Sequence, residues 1–261
     1  MVKICEVIEF LNSLAPHNLA ESYDNVGVLC DRENDEVNKI LLTLDTDFTV
    51  AKEAKNVGAD LIVSHHPLIF NPIINVNSTN ETGKTLRFLI KNDIALYAMH
   101  TNFDSVKGGL CDFLAEKIFG KKEMKNLDGE SESGIGRIVE LDDGITFKSL
   151  CDMVKEKLGL KELRVVGQEE KMIKKVAVVG GGGGSMTNDV ASLGVDAYIS
   201  GDFKYQHGRD AYFMDLSLVE ITHYDAEIIF CEYLKAILEE KFGDKIEIIV
   251  SKENKNVWRT V

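Results

Sequence analysis

Short apolar runs alternate with amphipathic segments along this chain, and that alternation constrains the fold more than any other feature. Residues 40–44, 60–63 and 94–99 are nearly all apolar on both faces. A strand tolerates this only where helices cover both sides of its sheet. Between those runs, residues 49–57 and 85–91 carry apolar side chains at helical spacing, as do residues 109–119. The chain opens on a helix with Ile4, Val7, Ile8, Leu11 and Leu14 on one face, stopped by Pro16. Residues 26–29 read as a further strand. This order predicts an α/β fold with mostly parallel sheets covered by helices.

Residues 120–134 interrupt the pattern with a polar, Gly/Ser-punctuated stretch, so the domain boundary is expected there, giving lobes 1–126 and 127–261. The alternation then resumes. Strands are predicted at 135–141, 163–166, 175–179, 197–200, 218–221 and 246–250, with helices at 147–158, after Ser185 and over 224–242. The lobes resemble each other: a shift of 136 residues lays residues 40–66 on 176–202 without a gap, although only three of the 27 pairs are identical. A shift of 123 puts His100 on His223 and Asp104 on Glu227. Two similar lobes from a duplicated α/β unit account for this, as does convergence of two ordinary units.

Composition narrows the function. At 261 residues and 44% hydrophobic the chain is long enough for one large core or two smaller ones. A net charge of −13 argues against nucleic-acid binding through a general basic surface. The five cysteines form no CxxC pair and lie in or beside apolar stretches, as small core residues do in a reducing compartment. Glu6 and Glu9 interrupt the N-terminus where a signal peptide is apolar, and no apolar run reaches the roughly 18 residues of a membrane span. The expected location is cytoplasmic, with no membrane partner.

Chemistry-bearing residues collect at three predicted strand ends: Ser64-His65-His66-Pro67, His100-Thr101-Asn102-Phe103-Asp104 and His223-Tyr224-Asp225-Ala226-Glu227. In open α/β sheets such ends border the crevice that takes ligands. Adjacent His65 and His66 can reach two different ions, His223 and Glu227 share a helix face, and Asp104 adds a carboxylate able to bridge. His65, His66, Asp104, His223 and Glu227 thus supply five mixed ligands for two divalent ions, of which Zn, Mn, Fe and Co all fit. Five ligands for two ions leave positions open to water, as in catalytic sites. His100 is the candidate catalytic residue, and a partner orienting Asp104 is its other role. The run from Gly180 to Gly184 offers either an anion cradle or a turn capped by Ser185. Asp24 and Asn25 make a turn into a strand or line the cavity.

These segments, together with Tyr23-Asp24-Asn25-Val26-Gly27 and Ser200-Gly201-Asp202-Phe203-Lys204-Tyr205, resemble the GTP cyclohydrolase 1 type 2 family, also called the NGG-one-interacting factor three family. The resemblance runs in order over nearly the whole chain. It implies the same dinuclear set, two α/β lobes with His223 and Glu227 reaching an inter-lobe metal site, and a ring-shaped homohexamer with sites facing an interior cavity. The chain departs from the family at Tyr23, where Trp is usual, and at Thr222, where Gly is usual. It also reads Lys204-Tyr205-Gln206-His207 in place of Lys-Tyr-His, so His207 is read equally as a surface histidine near a helix start. The resemblance implies GTP as substrate, hydrated at the purine imidazole carbon with release of formate. The alternative from the same residues is a non-catalytic metal-handling or regulatory protein.

Overall fold

A computed structural model of the chain describes residues 1–127, 129 and 133–259. Residues 128 and 130–132, within the polar stretch expected to hold the domain boundary, lie outside the described residues. The fold is α/β, in two compact units. One is Met1–Phe103 together with Ile228–Val261, and the other is Asp104–Glu227. The packing thus divides the chain elsewhere than at 126/127. The physical reason is the last strand, Glu247–Val250, which pairs in parallel with Lys39–Thr43 and so returns the C-terminal segment to the first unit.

The first unit holds a five-stranded sheet in the order Glu247–Val250, Lys39–Thr43, Leu61–Ser64, Ala95–Ala98, Gly27–Cys30. The first four strands are parallel and the last is antiparallel. Leu41, Ile62 and Leu96 face the helices Phe48–Val57 and Glu81–Lys91, packing on Val50, Ala51, Ala54, Leu86 and Leu89. Alternate residues of the same strands point the other way and are buried as well, because a strand turns successive side chains to opposite faces. On that face Tyr97 Oη donates to Asn12 Oδ1 at 2.6 Å, fixing the helix Ile4–Leu14. Phe10 of that helix meets Phe242 of the helix Ile229–Phe242 edge to face at 5.5 Å. Asp47 and Asn80 accept backbone N–H groups of the first turns of their helices, and left-handed Gly58 ends the first of these.

The second unit holds six strands in the order Met124–Asn126, Arg137–Thr146, Met172–Val178, Ala197–Ser200, Ser217–Glu220, Arg164–Val166. Its three pairings outside the Met172–Val178, Ala197–Ser200, Ser217–Glu220 trio are antiparallel, so the sheet is mixed where a mostly parallel one was expected. The helix Phe147–Leu158 carries the chain from Arg137–Thr146 on one side of the parallel trio to Arg164–Val166 on the other, and both strands run antiparallel to the trio. Ala177, Tyr198 and Leu218 build a core with Val190, Phe203 and Ala211. Buried Arg137 ties the unit together: it pairs with Asp112 at 2.5 Å and donates to the carbonyls of Ser105, Val106, Gly134 and Gly136.

The two units share one local architecture. Asp60 Oδ2 accepts from the amides of Asn38 and Lys39, and Asp196 Oδ2 from those of Lys174 and Lys175. Lys39 Nζ donates to Val57 O at 2.7 Å, and Lys175 Nζ to Leu193 O at 2.8 Å. Each correspondence is the 136-residue shift read from the sequence. The 123-residue shift does not survive. Met99 N bonds to Ser64 O as Ile221 N bonds to Ser200 O, and the helices Thr101–Ser105 and His223–Glu227 follow, all offset by 122. That register sets His223 opposite Thr101 rather than His100. The helix predicted over 224–242 is two, His223–Glu227 and Ile229–Phe242. Cys30, Cys111 and Cys231 are buried, as core residues should be, whereas Cys5 is exposed.

Candidate metal centre

In the first unit three histidines meet where two parallel strands end. His65 and His66 follow Leu61–Ser64, and His100 follows Ala95–Ala98, its neighbour in the sheet. One nitrogen from each ring lies within 4.8 Å of the others. Ring centroids are 5.2 Å apart for His65–His66 and His65–His100, and 5.6 Å for His66–His100. His65 is fully buried, with Phe230 at 5.1 Å.

The Nδ1 atoms are engaged. His65 Nδ1 lies 2.7 Å from the Met99 carbonyl, which can only accept, so this nitrogen carries the hydrogen and Nε2 the lone pair. His66 Nδ1 lies 2.8 Å from Asp45 Oδ1, and His100 Nδ1 lies 2.9 Å from Asp24 Oδ1. Asp24 is fully enclosed as a side chain. Burial alone would raise its pKa, but hydrogen bonds from His100 and from the hydroxyl and amide of Thr101 overcome that and hold the carboxyl far below the usual range.

The second unit has an imidazole and carboxylates of its own. His223 and Glu227 sit one turn apart on the helix His223–Glu227, with Nε2 2.9 Å from Oε2. His223 Nδ1 lies 2.9 Å from Asp202 Oδ2. Glu227 and Asp104 are both buried. Asp104 lies near Cys111, whose thiol is pushed up to about 12 by burial first and by the Asp104 charge second. The glycine run presses on this helix, because a Cβ at Gly181 would stand 2.0 Å from Glu227 Oε1. Ser185 does not cap the following helical turn, and the amide of Gly183 is taken by Ser200 Oγ. The run is therefore a clearance for side chains, not a capped turn. His207 Nδ1 accepts from the Lys204 amide at 3.2 Å and caps the helix Tyr205–Phe213.

All four imidazoles have Nδ1 against a carbonyl or carboxylate, the arrangement that orients metal-binding histidines, and His223 turns its Nε2 to Glu227. Imidazole and carboxylate donors of this kind suit a borderline divalent cation. Of the residues expected from the sequence, the structure clusters His65 and His66 with His100 in one unit and pairs His223 with Glu227 in the other. The holding groups Asp45, Asp202 and the Met99 carbonyl were not foreseen as such. A separate concavity of about 510 Å³, walled by Val165, Tyr205, Tyr212 and Phe213, contains none of these ligands. No helix among the described residues is long and apolar enough to cross a membrane.

The fold and these donors define an α/β protein with imidazole and carboxylate clusters at its strand ends. Its relatives make the assignment more specific: the chain belongs to the Duf34/NIF3 (NGG1p interacting factor 3) family, whose model matches residues 2–257. It is 39% identical to a GTP cyclohydrolase 1 type 2 homolog of Clostridium perfringens, over 100% of both chains. It is 33% identical to GTP cyclohydrolase 1 type 2 of Helicobacter pylori, over 95% of this chain and 100% of that one. A hypothetical protein of Staphylococcus aureus has a similar structure, with TM-score 0.91, 28% identity and coverage of 100% of this chain and 99% of that one.

Proposed function

We propose that the chain is a metal-dependent hydrolase of a purine nucleotide such as GTP, with two divalent ions held by His65, His66, Asp104, His223 and Glu227. The observation that carries the reading is that all four imidazoles have Nδ1 against an acceptor, the arrangement that orients a ring to bind a metal through Nε2. The printed name of the Helicobacter pylori relative supports the substrate class. Divalent ions in such a donor set supply Lewis acidity toward a ring carbon and toward water.

The protein's own part is proton handling. His100 keeps its Nδ1 hydrogen on Asp24, so its Nε2 is the atom that takes a proton from water and returns it to the departing nitrogen. Asp24 stays ionised beneath it and stabilises the imidazolium formed midway. The carboxylates of Asp104 and Glu227 are buried and hold cations more strongly than exposed carboxylates would.

The test is anaerobic incubation of metal-reconstituted protein with GTP, following nucleotide loss and formate release, with Asp104→Ala and Glu227→Ala alongside. Wild-type turnover that disappears with the metal in either variant is the expected result. Full activity in a variant overturns the ligand set. Two bound ions without turnover overturn the hydrolase and leave a metal-handling role.

A further inference from the structure

The glycine run and Asp202 have no part in the mechanism above, yet both are built around His223. Asp202 adopts φ +57°, in the left-handed region that a side-chain-bearing residue seldom enters unless its surroundings require it. Its turn is pinned by the Gly201 amide donating to Gly181 O at 2.8 Å. In that conformation its Oδ2 reaches His223 Nδ1 at 2.9 Å.

Glycines of two segments press close to the pair. A Cβ on Gly182 would stand 3.0 Å from Asp202 Oδ2, one on Gly184 2.6 Å from the Asp202 carbonyl, and one on Gly201 3.1 Å from the His223 amide. With Gly181 against Glu227, four glycines from two segments leave room for one line of side chains: Asp202, His223, Glu227. A run of five glycines that made only a loose turn would not press its backbone on three functional groups.

We propose that Asp202 is the positioning residue of His223, holding the ring by its Nδ1 so that Nε2 faces Glu227, and that the glycine run exists to admit this line. The inference rests on His223 and Glu227 being metal ligands. Backbone strain at Asp202 is then the consequence of placing a carboxylate where the ring needs it, and a glycine at this position would relieve the strain while losing the function.

The experiment uses the full chain and two variants. Asp202→Gly keeps the left-handed backbone and removes the acceptor, while Asp202→Asn keeps an acceptor oxygen without the charge. The first readout is the ¹⁵N signature of the His223 ring in metal-free protein. The second is Zn²⁺ retention against a competing chelator. In Asp202→Gly the ring ¹⁵N signature is expected to shift as the Nδ1 hydrogen bond is lost and Zn²⁺ retention to fall about 10–100-fold, with no drop in thermal midpoint. Asp202→Asn is expected to recover the ring signature and most of the retention. A His223 ring whose ¹⁵N signature is unchanged in Asp202→Gly, or Zn²⁺ held as tightly as in the wild type, overturns the proposal. A wild type that holds no Zn²⁺ would instead refute the metal reading, and the ring signature would still decide the role of Asp202.

Discussion

Replacing Asp24 by Asn tests the idea that an ionised carboxylate is built into the first unit beneath His100. Its oxygens accept four hydrogen bonds: Asn25 N and His100 Nδ1 on Oδ1, Thr101 N and Thr101 Oγ1 on Oδ2. An amide can keep one oxygen. Whichever way it is turned, its NH₂ faces a backbone N–H, that of Asn25 or that of Thr101, and neither donor can invert its role. One stranded buried donor costs about 1–3 kcal/mol, and the surviving bonds lose their charge assistance, so we expect a loss of about 2–4 kcal/mol. Urea unfolding at pH 7 measures it. The pH dependence has a definite sign. Because the folded pKa lies below the unfolded value of about 3.9, the carboxylate stabilises the fold fully above that value and progressively less as pH falls through it. The gap between wild type and Asp24→Asn should therefore be widest near neutrality and narrow below about pH 4. A gap under about 0.5 kcal/mol at pH 7, or one that stays constant down to pH 3, would refute the reasoning.

Two further outcomes are expected. Arg137→Met removes a buried cation that satisfies Asp112 and four backbone carbonyls, so the second unit should lose about 3–5 kcal/mol in denaturant unfolding; a loss under 1 kcal/mol would show that the carbonyls find other partners. Burial pushes the thiols of Cys111 and Cys231 up to about 12 and that of Cys151 up to about 11, so iodoacetamide at pH 8 should label exposed Cys5 first, as read by mass spectrometry. Labelling of Cys111 or Cys231 at the pace of Cys5 would contradict the buried placement.

Most strands and helices were legible because their apolar spacing is set by burial, whereas the short strands Val2–Lys3, Glu36–Val37 and Met124–Asn126 carry no such pattern and were not read. The helix Phe147–Leu158 begins and ends where its periodicity says. The helix Tyr205–Phe213 was not legible: only Ala211 is buried, Gly208 lies in its middle, and its start is held by His207 rather than by an apolar stripe. The break after Glu227 was hidden because apolar residues continue at helical spacing through Ile228, Ile229 and Phe230. The candidate ligands stood out as histidines at strand ends. Their holders did not, since Asp45 and Asp202 lie 21 residues before their rings and Asp24 lies 76 before His100. No local pattern links residues that only the sheet brings together.

The internal repeat explains why strand ends carry the chemistry without explaining which residues do. In the 136-residue register Ser64 matches Ser200, but His65 and His66 match Gly201 and Asp202, and Leu44-Asp45 match Gly180-Gly181. In the 122-residue register that follows, Asp104 matches Ala226 and Glu227 matches Ser105. No candidate ligand is thus opposite another. The resemblance between His100-x-x-x-Asp104 and His223-x-x-x-Glu227 is one residue out of register with the hydrogen bonds around it. Equivalent strand ends supply equivalent places, because parallel strands end beside the same crevice. What occupies them has diverged: imidazoles crowd one unit, while the other trades them for a glycine run that lets a single histidine and a buried glutamate approach. The clamp of Asp60 and Lys39, repeated by Asp196 and Lys175, has kept its residues because it holds the βαβ turn itself. Structure is repeated where the fold needs it, and the side chains at the strand ends differ between the units.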